Sequence, residues 1–392
     1  MRAPLDSGDG ETMKPLKSIV LSAFIASMFV SSAFAADTIK IGAILTETGP
    51  ASFLGAPEVR TIRMLTDELN AKGGIGGKKI ELIIKDSGGS PEKAISFAKQ
   101  LIEEEKVFAI IGPSTSGETM AIKNLAEEGR TILLSCAAAE VIVNPLAKHV
   151  FKVAPSDRYA VEKIYHQMKK TGLSKIGVLS SNTGFGKAGK EQLEKYAAEH
   201  GITIVLSEVY DKSATDLSAE VTKLKGAGVQ AIVNWSIEPA QAIVLKNARQ
   251  IGLTVPIFQS HGFASIQYAK TAGVAAEGVI FPASRIVVAN LLADKNPQKS
   301  VLVDYKKKYE AQFKEDVSTF GGHGYDALMI LTKAIEKAGA DREKVRTAIE
   351  NTRGFVGTAG VFNLSPTDHN GLDIDAFAML TVKDGKFALL EK

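Results

Sequence analysis

The chain has 392 residues, of which 45% are hydrophobic and 23% charged, so it is long enough for two domains and too apolar for disorder. A formal net charge of +3 argues against nucleic acid, and against an anionic membrane surface, as partners. The one cysteine, Cys136, excludes an intramolecular disulfide and a cysteine-based zinc site.

The first 35 residues have the pattern of a secretory signal peptide. Lys14 and Lys17 form a basic start, the run 19–30 is apolar, and Ala33-Phe-Ala35 has the small residues of a cleavage site. The apolar run is too short to span a membrane, and no cysteine follows it for lipid attachment. We therefore expect cleavage after Ala35, with Met13 as an alternative start, and a periplasmic protein without membrane insertion.

From residue 38 onward, apolar strands alternate with helical patterns. We predict strands at 38–45, 79–86 and 107–111, helices at 58–69 and 91–104, and a loop at 46–56. The pattern restarts after residue 155, with strands at 176–180, 203–206, 231–235 and 257–260, helices between them, a helical stretch at 301–338, and strands at 355–363 and 376–383 with a hairpin turn at 383–385. This alternation predicts an α/β fold with two doubly wound lobes.

Three loops of the first lobe follow strands, and parallel sheets bind ligands beyond the carboxyl ends of their strands. The loops span 46–56, 113–119 and 135–140, and they should share one edge of the sheet. The second loop carries Ser114, Thr115, Ser116 and Thr119 and leads into a helix. A helix N-terminus attracts anions, so this edge predicts a site for a small carboxylate. Ordinary N-capping by serine and threonine is the alternative explanation.

A second motif supports an alternative function. The stretch Gly184-Phe-Gly-Lys-Ala-Gly189 matches GxGxxG between a strand and a helix, with Glu208 about twenty residues further on. This pattern is typical of an NAD-dependent enzyme. However, a free nicotinamide cofactor is not expected in an exported protein. The glycines are also explained by a tight strand-to-helix turn, and Phe185 on that turn would be held out into the cleft.

Other signs of catalysis or metal binding are weak. The six histidines share no metal-ligand spacing, and no GxSxG motif is present. His261 follows a predicted strand and His323 lies in a glycine-rich turn before a helix. Both are candidates for ligand contact, although a structural hydrogen-bonding role is equally open for each. We predict no metal and no cofactor.

Several short motifs along nearly the whole mature chain are typical of one family. They are Ile41-Gly-Ala43, Thr48-Gly-Pro50, Glu68-Leu-Asn-Ala-Lys-Gly-Gly-Ile75, Ile110-Ile-Gly112, Phe185-Gly186 and Ala275-Ala-Glu-Gly278. In these the chain resembles the type I periplasmic solute-binding proteins of ABC importers, in the leucine/isoleucine/valine-binding branch. The resemblance implies two Rossmann-like lobes joined by a three-strand hinge, with one lobe at 37–155 plus 284–358 and the other at 156–283 plus 359–392.

The resemblance also implies a function and a set of contacts. The protein would be a non-enzymatic amino-acid or carboxylate carrier, predicted to be a monomer, with ABC permease and ATPase subunits as partners. Hydroxyl and backbone N–H groups of the loops 113–119 and 135–140 would hold the carboxylate. Phe185 would cover the solute, and Phe53 and Leu54 would supply another wall. The residues implied for the loops are Thr115, Ser116, Thr119, Ala137, Ala138 and Ala139, and we add His323 as a candidate.

Two departures from the family pattern concern the amino group of the solute. Ala139 stands where amino-acid binders usually have threonine, and His261 stands where they usually have an acid that pairs the ammonium. Glu238 is a candidate replacement for that acid. A charge-assisted hydrogen bond contributes ~1.5–3 kcal/mol, so its loss should weaken amino-acid binding about ten- to a hundredfold. The solute is therefore either a branched-chain amino acid or an aromatic or branched carboxylic acid. A ligand-sensing receptor domain is a further alternative.

Overall fold

The structure is a computed structural model that describes residues 38–390, so the predicted signal peptide at 1–35 lies outside the described residues. Strands and helices alternate along this part of the chain. The strands are β1 (Ile39–Leu45), β2 (Ile80–Asp86), β3 (Ala109–Ile111), β4 (Ile132–Ser135), β5 (Val150–Lys152), β6 (Lys175–Ser181), β7 (Thr203–Tyr210), β8 (Ala231–Trp235), β9 (Ile257–Gln259), β10 (Ile280–Ala283), β11 (Phe355–Val356), β12 (Val361–Phe362), β13 (Ala378–Lys383) and β14 (Lys386–Leu389). The helices are α1 (Ser52–Ala71), α2 (Pro91–Lys99), α3 (Ser116–Glu128), α4 (Asp157–Lys170), α5 (Gly184–Ala197), α6 (Ser218–Gly226), α7 (Ala240–Gln250), α8 (Ile266–Ala272), α9 (Lys299–Phe313), α10 (Thr319–Ala338) and α11 (Arg342–Glu350).

The first lobe is built on a parallel sheet in the order β2-β1-β3-β4-β5. Successive side chains of a strand point to opposite faces, so neighbouring residues enter different cores. Ile111 packs in a cluster with α1, α10 and α11, whereas Ile110 packs with α2 and α3. Burial on both faces explains why these strands appear in the sequence as continuous apolar runs.

The second lobe is built on a sheet in the order β14-β13-β10-β9-β8-β6-β7. Its strands are parallel from β7 to β10, and β13 and β14 add an antiparallel hairpin at one edge. The hairpin turns at Asp384 and Gly385, which both have positive φ, as the favoured two-residue turns require. The hairpin turn predicted at 383–385 is therefore confirmed.

The chain passes between the two sheets three times, after β5, after β10 and before β13. The predicted fold class, two doubly wound lobes joined by three connecting segments, is confirmed. The side chain of Asn370 ties the third connection to the first, because its Nδ2 donates to the carbonyls of Lys152 (3.1 Å) and Ala154 (3.0 Å). Leu372 and Ala376, before β13, pack in the core of the first lobe.

Two elements differ from the prediction. Helix α1 begins at Ser52, so Phe53 and Leu54 lie in its first turn rather than in a loop; no side chain caps this helix, which removes the usual sequence signal for its start. The stretch 301–338 contains two helices, which separate at Lys314 (φ 57°), and Ser318 caps the second. No helix within residues 38–390 has both the length and the apolar character needed to cross a membrane.

Candidate functional site

The carboxyl ends of the two sheets face each other across a cavity. The empty space in this region is about 440 Å³, which includes space open to solvent. The first lobe contributes the loops after β3 and β4 and the start of α10. The second contributes the start of α5 and the loops after β8 and β9. The wall consists of Leu54, Ser114, Thr115, Ser116, Cys136, Ala137, Ala138, Pro155, Phe185, Ile237, His261, Gly262, Ser284, Thr319, Phe320, His323 and Phe377.

Most of the residues predicted to contact the solute lie in this wall. They are Leu54, Thr115, Ser116, Ala137, Ala138, Phe185, His261 and His323. Of the three loops predicted to share an edge, 113–119 and 135–140 are brought together in this wall, and the stretch 46–56 contributes Leu54. Sequence reasoning missed several wall residues that come from the connecting segments and from α10, among them Pro155, Ser284, Phe320 and Phe377.

Four other predicted residues lie behind or beside the wall. The backbone N–H of Ala139 donates to Ser116 Oγ (3.3 Å), and the hydroxyl of Thr119 bonds to Thr115 O (3.0 Å) and Ser135 Oγ (2.8 Å). The ring of Phe53 packs edge-on against Tyr268, with 5.0 Å between centroids. Glu238 lines a neighbouring groove that Phe185, Ile237 and Thr115 separate from the cavity.

Hydroxyl groups of the loop 113–119 differ in whether they are free to bind a solute. The hydroxyl of Thr115 caps α3, accepting from Glu118 N (3.3 Å) and donating to Glu118 Oε2 (2.6 Å), and the hydroxyl of Ser114 donates to Glu58. Burial raises the pKa of Glu58 well above its ordinary value, and the nearby Glu118 adds to the effect. Within residues 38–390, the hydroxyl hydrogen of Ser116 has no acceptor. Ser116 is thus the hydroxyl that remains available.

A buried lysine supports the loop 135–140. The Nζ of Lys152, at the end of β5, donates to the carbonyls of Ala138 (3.2 Å) and Ala154 (3.0 Å) and to Asn370 Oδ1 (3.3 Å). Burial lowers the pKa of Lys152 to about 8, opposed by the charges of Asp157, Glu140 and Asp368, so it remains a cation at pH 7. Ala138 lines the cavity, and its N–H has no acceptor within residues 38–390. The loop therefore offers a free donor beside a buried positive charge.

The two histidines of the wall come from different lobes. His261 follows β9 and lies among the rings of Phe185, Trp235 and Phe377, at centroid distances of 5.3–5.6 Å. His323 lies in α10. Within residues 38–390, no ring nitrogen of either residue meets the geometry of a hydrogen bond, although the main chain of Cys136 lies near the ring of His323. Burial lowers the pKa of both rings to about 3. The charges of His323 and Lys152 add to this for His261. For His323 the charge of Lys152 adds to it, and the main chain of Cys136 opposes it.

Replacing both histidines by glutamine is expected to make the stability of the ligand-free protein less sensitive to acid. A ring with a pKa of about 3 when folded and about 6.5 when unfolded binds its proton preferentially in the unfolded state, so folding free energy is lost as the pH falls from 6.5 towards 3. At pH 5 this loss is about 2 kcal/mol for each ring. Chemical denaturation of wild type and variant at pH 7 and pH 5 measures the difference.

The comparison between variant and wild type is needed because other groups act in the opposite direction. Burial raises the pKa of Asp157 to about 6 and of Asp326 to about 7, and such groups favour the folded state as the pH falls. These carboxyl groups are present in both proteins and cancel in the difference. Equal acid sensitivity of the two proteins would contradict the assignment of buried, neutral histidines.

The glycines of the GxGxxG motif are explained by close packing. A Cβ at Gly186 would lie 2.0 Å from the carbonyl oxygen of Ser181, and one at Gly189 would lie 2.0 Å from Nε1 of the buried Trp235. A Cβ at Gly184 would lie 2.7 Å from Cα of Gly117, in the other lobe. Glu208, the acid of the presumed fingerprint, forms an ion pair with Lys223 (2.9 Å). The three glycines and Glu208 thus have structural roles.

Comparison with known proteins identifies the family. The family model described as periplasmic binding protein matches residues 38–386. A leucine-, isoleucine-, valine-, threonine- and alanine-binding protein of Pseudomonas aeruginosa is 27% identical over 363 residues, covering 91% of each chain.

Solved structures agree with this match. An extracellular ligand-binding receptor from Rhodopseudomonas palustris superposes with a TM-score of 0.85 at 28% identity, covering 90% of this chain and 99% of that one. The branched-chain amino acid transporter substrate binding protein from Streptococcus pneumoniae, in complex with isoleucine, superposes with a TM-score of 0.77 at 25% identity, covering 91% of this chain and all of that one.

Matches of this extent cover nearly all of the described chain. Proteins of this family are extracytoplasmic and bind solutes without enzymatic activity, so the prediction of a non-enzymatic protein is confirmed. The alternative of an NAD-dependent enzyme is wrong, and the GxGxxG glycines serve packing instead. The chain belongs to the periplasmic binding protein family, in its type I branch that also contains the Leu/Ile/Val-binding proteins.

Proposed function

We propose that this chain is the solute-binding subunit of an ABC importer and that its lobes close over a small carboxylate. The observation that supports this solute is the polar wall of the cavity, which offers unpaired donors beside a buried cation and, within residues 38–390, no acidic side chain. The transport role is supported by the relatives, one named as an amino-acid-binding protein and another as a transporter substrate binding protein.

The carboxylate would lie between the loops 113–119 and 135–140 of the first lobe. Ser116 supplies a free hydroxyl hydrogen and Ala138 a free N–H, two donors that suit the two oxygens of a carboxylate. The ammonium of Lys152 bonds to the carbonyl of Ala138, so its positive charge lies directly behind this loop. A charge in such a water-poor position stabilises an anion more strongly than one at the surface.

The same wall disfavours an α-ammonium group. A buried ammonium requires a carboxylate or several acceptors, and the wall provides no carboxylate. Glu238 does not meet this need, because its carboxylate accepts from Ser236 Oγ (2.6 Å) and Ile237 N (3.2 Å) and lines the neighbouring groove. Of the two predicted solute classes, we therefore favour carboxylic acids that lack the amine over branched-chain amino acids.

The rest of the solute would be apolar. Leu54, Phe185, Ile237, Phe320 and Phe377 supply aliphatic and aromatic wall surface from both lobes. A branched chain or an aromatic ring fills such a space and gains burial energy of about 25 cal/mol per Å² of apolar surface. The proposed solute is thus a branched or aromatic carboxylic acid.

The lobes would move as two bodies about the connecting segments. We propose the division predicted from the sequence, 37–155 plus 284–358 against 156–283 plus the tail. Because Leu372 and Ala376 pack with the first lobe, we place the last boundary at about residue 377. We further propose that the closed monomer delivers its solute to permease subunits driven by ATPase subunits.

Calorimetry on protein refolded from denaturant, which removes any carried solute, tests the proposed solute class. The panel contains 4-methylpentanoate and benzoate as acids and leucine and isoleucine as amino acids. We expect at least one acid to bind about tenfold or more tightly than either amino acid, the difference a missing counter-charge produces. Tighter binding of leucine than of both acids would refute the proposal.

Replacing Ser116 by alanine is expected to lower the affinity for the acid about tenfold or more, because a hydrogen bond to a charged group is lost. Thr119→Val is the matched control, since its hydroxyl lies three residues further along α3 and bonds only to Thr115 and Ser135 within the described chain. It should lower the melting temperature and leave affinity unchanged. Wild-type affinity of Ser116→Ala would remove this hydroxyl from the site.

A further inference from the structure

The least satisfied polar groups of the cavity are the ring nitrogens of His261 and His323. Both side chains line the cavity and are 7% and 4% exposed. Within residues 38–390 none of their ring nitrogens meets the geometry of a hydrogen bond, although the main chain of Cys136 lies near the ring of His323. Buried polar atoms in folded proteins are nearly always paired, and an unpaired one costs about 1–3 kcal/mol. These four nitrogens therefore point to a partner that belongs to the solute.

The chemistry of two neutral imidazoles limits what that partner can be. Each neutral ring has one N–H donor and one nitrogen acceptor, so the pair offers two of each. The proposed carboxylate already has donors in Ser116 and the N–H of Ala138, and it cannot use a ring acceptor. A hydroxyl can both donate to one ring and accept from the other, and a carbonyl can accept from both.

The surrounding charges exclude a cationic partner. The groups near the two rings are each other, the buried ammonium of Lys152 and the main chain of Cys136, and the charge of Lys152 acts on both rings. A second cation at this place would face Lys152 without a carboxylate in the wall. An uncharged oxygen atom meets both requirements.

We propose, resting on the carboxylate function argued above, that His261 and His323 form a second polar subsite shared by the two lobes. The subsite takes an uncharged oxygen, so the solute is a branched or aromatic carboxylic acid that also carries a hydroxyl or carbonyl group. Since one ring belongs to each lobe, this oxygen links the lobes in the closed state. The rings of Phe185, Trp235 and Phe377 around His261 hold that side of the subsite in place.

Matched pairs of probes test the subsite by calorimetry. Each pair differs by one oxygen: 4-methyl-2-oxopentanoate and 2-hydroxy-4-methylpentanoate against 4-methylpentanoate, and 3- and 4-hydroxybenzoate against benzoate. We expect at least one oxygenated acid to bind tenfold or more tightly than its partner. His261→Phe and His323→Phe should each abolish this preference, which is measured as the ratio of the two affinities within one variant. His261→Gln and His323→Gln, which keep a donor and an acceptor, should retain part of it.

The outcomes separate this inference from the function on which it rests. Equal affinity within every pair would overturn the histidine subsite and leave the carboxylate proposal standing, since water would then satisfy the rings. A preference that survives in both phenylalanine variants would also overturn the subsite. Leucine binding more tightly than every acid, or no acid binding at all, would overturn the carboxylate proposal and the subsite with it.

Discussion

Gly184→Ala is expected to weaken solute binding at least about tenfold while the melting temperature of the ligand-free protein stays the same. A Cβ at this position would lie 2.7 Å from Cα and 2.8 Å from N of Gly117, where the first turns of α5 and α3 meet across the cleft. Both are backbone atoms that cannot rotate away, so the lobes must stay further apart. Gly184 is not among the glycines with positive φ, so alanine suits its backbone.

Gly117→Ala provides the matched control for this contact. A Cβ there would lie 3.8 Å from Gly184 N, an ordinary van der Waals distance, and its affinity should equal that of wild type. Calorimetry gives the affinities, and small-angle scattering shows whether saturating solute still reduces the radius of gyration. Wild-type affinity and compaction of Gly184→Ala would mean that the closed state does not need this approach of the two helices.

Lys152→Met is expected to reduce both stability and affinity. The variant loses three hydrogen bonds and a charge that balances the buried Asp157, and breaking buried charge interactions typically lowers stability by about 3 kcal/mol. Affinity for a carboxylate should fall about tenfold, because the cation behind the loop 135–140 is lost. Denaturant unfolding and calorimetry measure the two quantities separately.

A second variant separates the charge of Lys152 from its structural role. Asn370→Ala removes the bonds that tie the first connecting segment to the third but keeps the lysine. It should lower stability and leave affinity nearly unchanged. If Lys152→Met loses stability but binds the acid as tightly as wild type, the lysine supports the fold and does not attract the solute.

The features that the sequence predicted well are those set by local patterns. Alternating strands and helices specify a doubly wound fold, and such folds place the loops after β3 and β4 at one edge. The two loops could therefore be assigned to one edge before any coordinates were known, and the resemblance to the solute-binding family implied Ser116, Ala137 and Ala138 as contacts within them. The role of each residue in binding remains a proposal.

The features that sequence reasoning missed depend on distant parts of the chain. A lysine at the end of a strand normally suggests a solvated surface, but Lys152 is buried and bonds to Asn370, which returns from a distant part of the chain. Phe320 and Phe377 reach the cavity from segments far from the two loops, and no local pattern indicates this. Glu238, a candidate for the ammonium partner, lies outside the cavity because Ser236 and Ile237 turn its carboxylate away.

The interleaving of the two lobes has a consequence for folding. α1 packs on α10, with Glu58 beside Gly324, and β10 pairs with β13, as Phe281 does with Leu380. Neither core is complete until the last quarter of the chain is available, so a fragment ending near residue 300 lacks one face of the first lobe and one edge of the second. Contacts so distant in sequence slow folding.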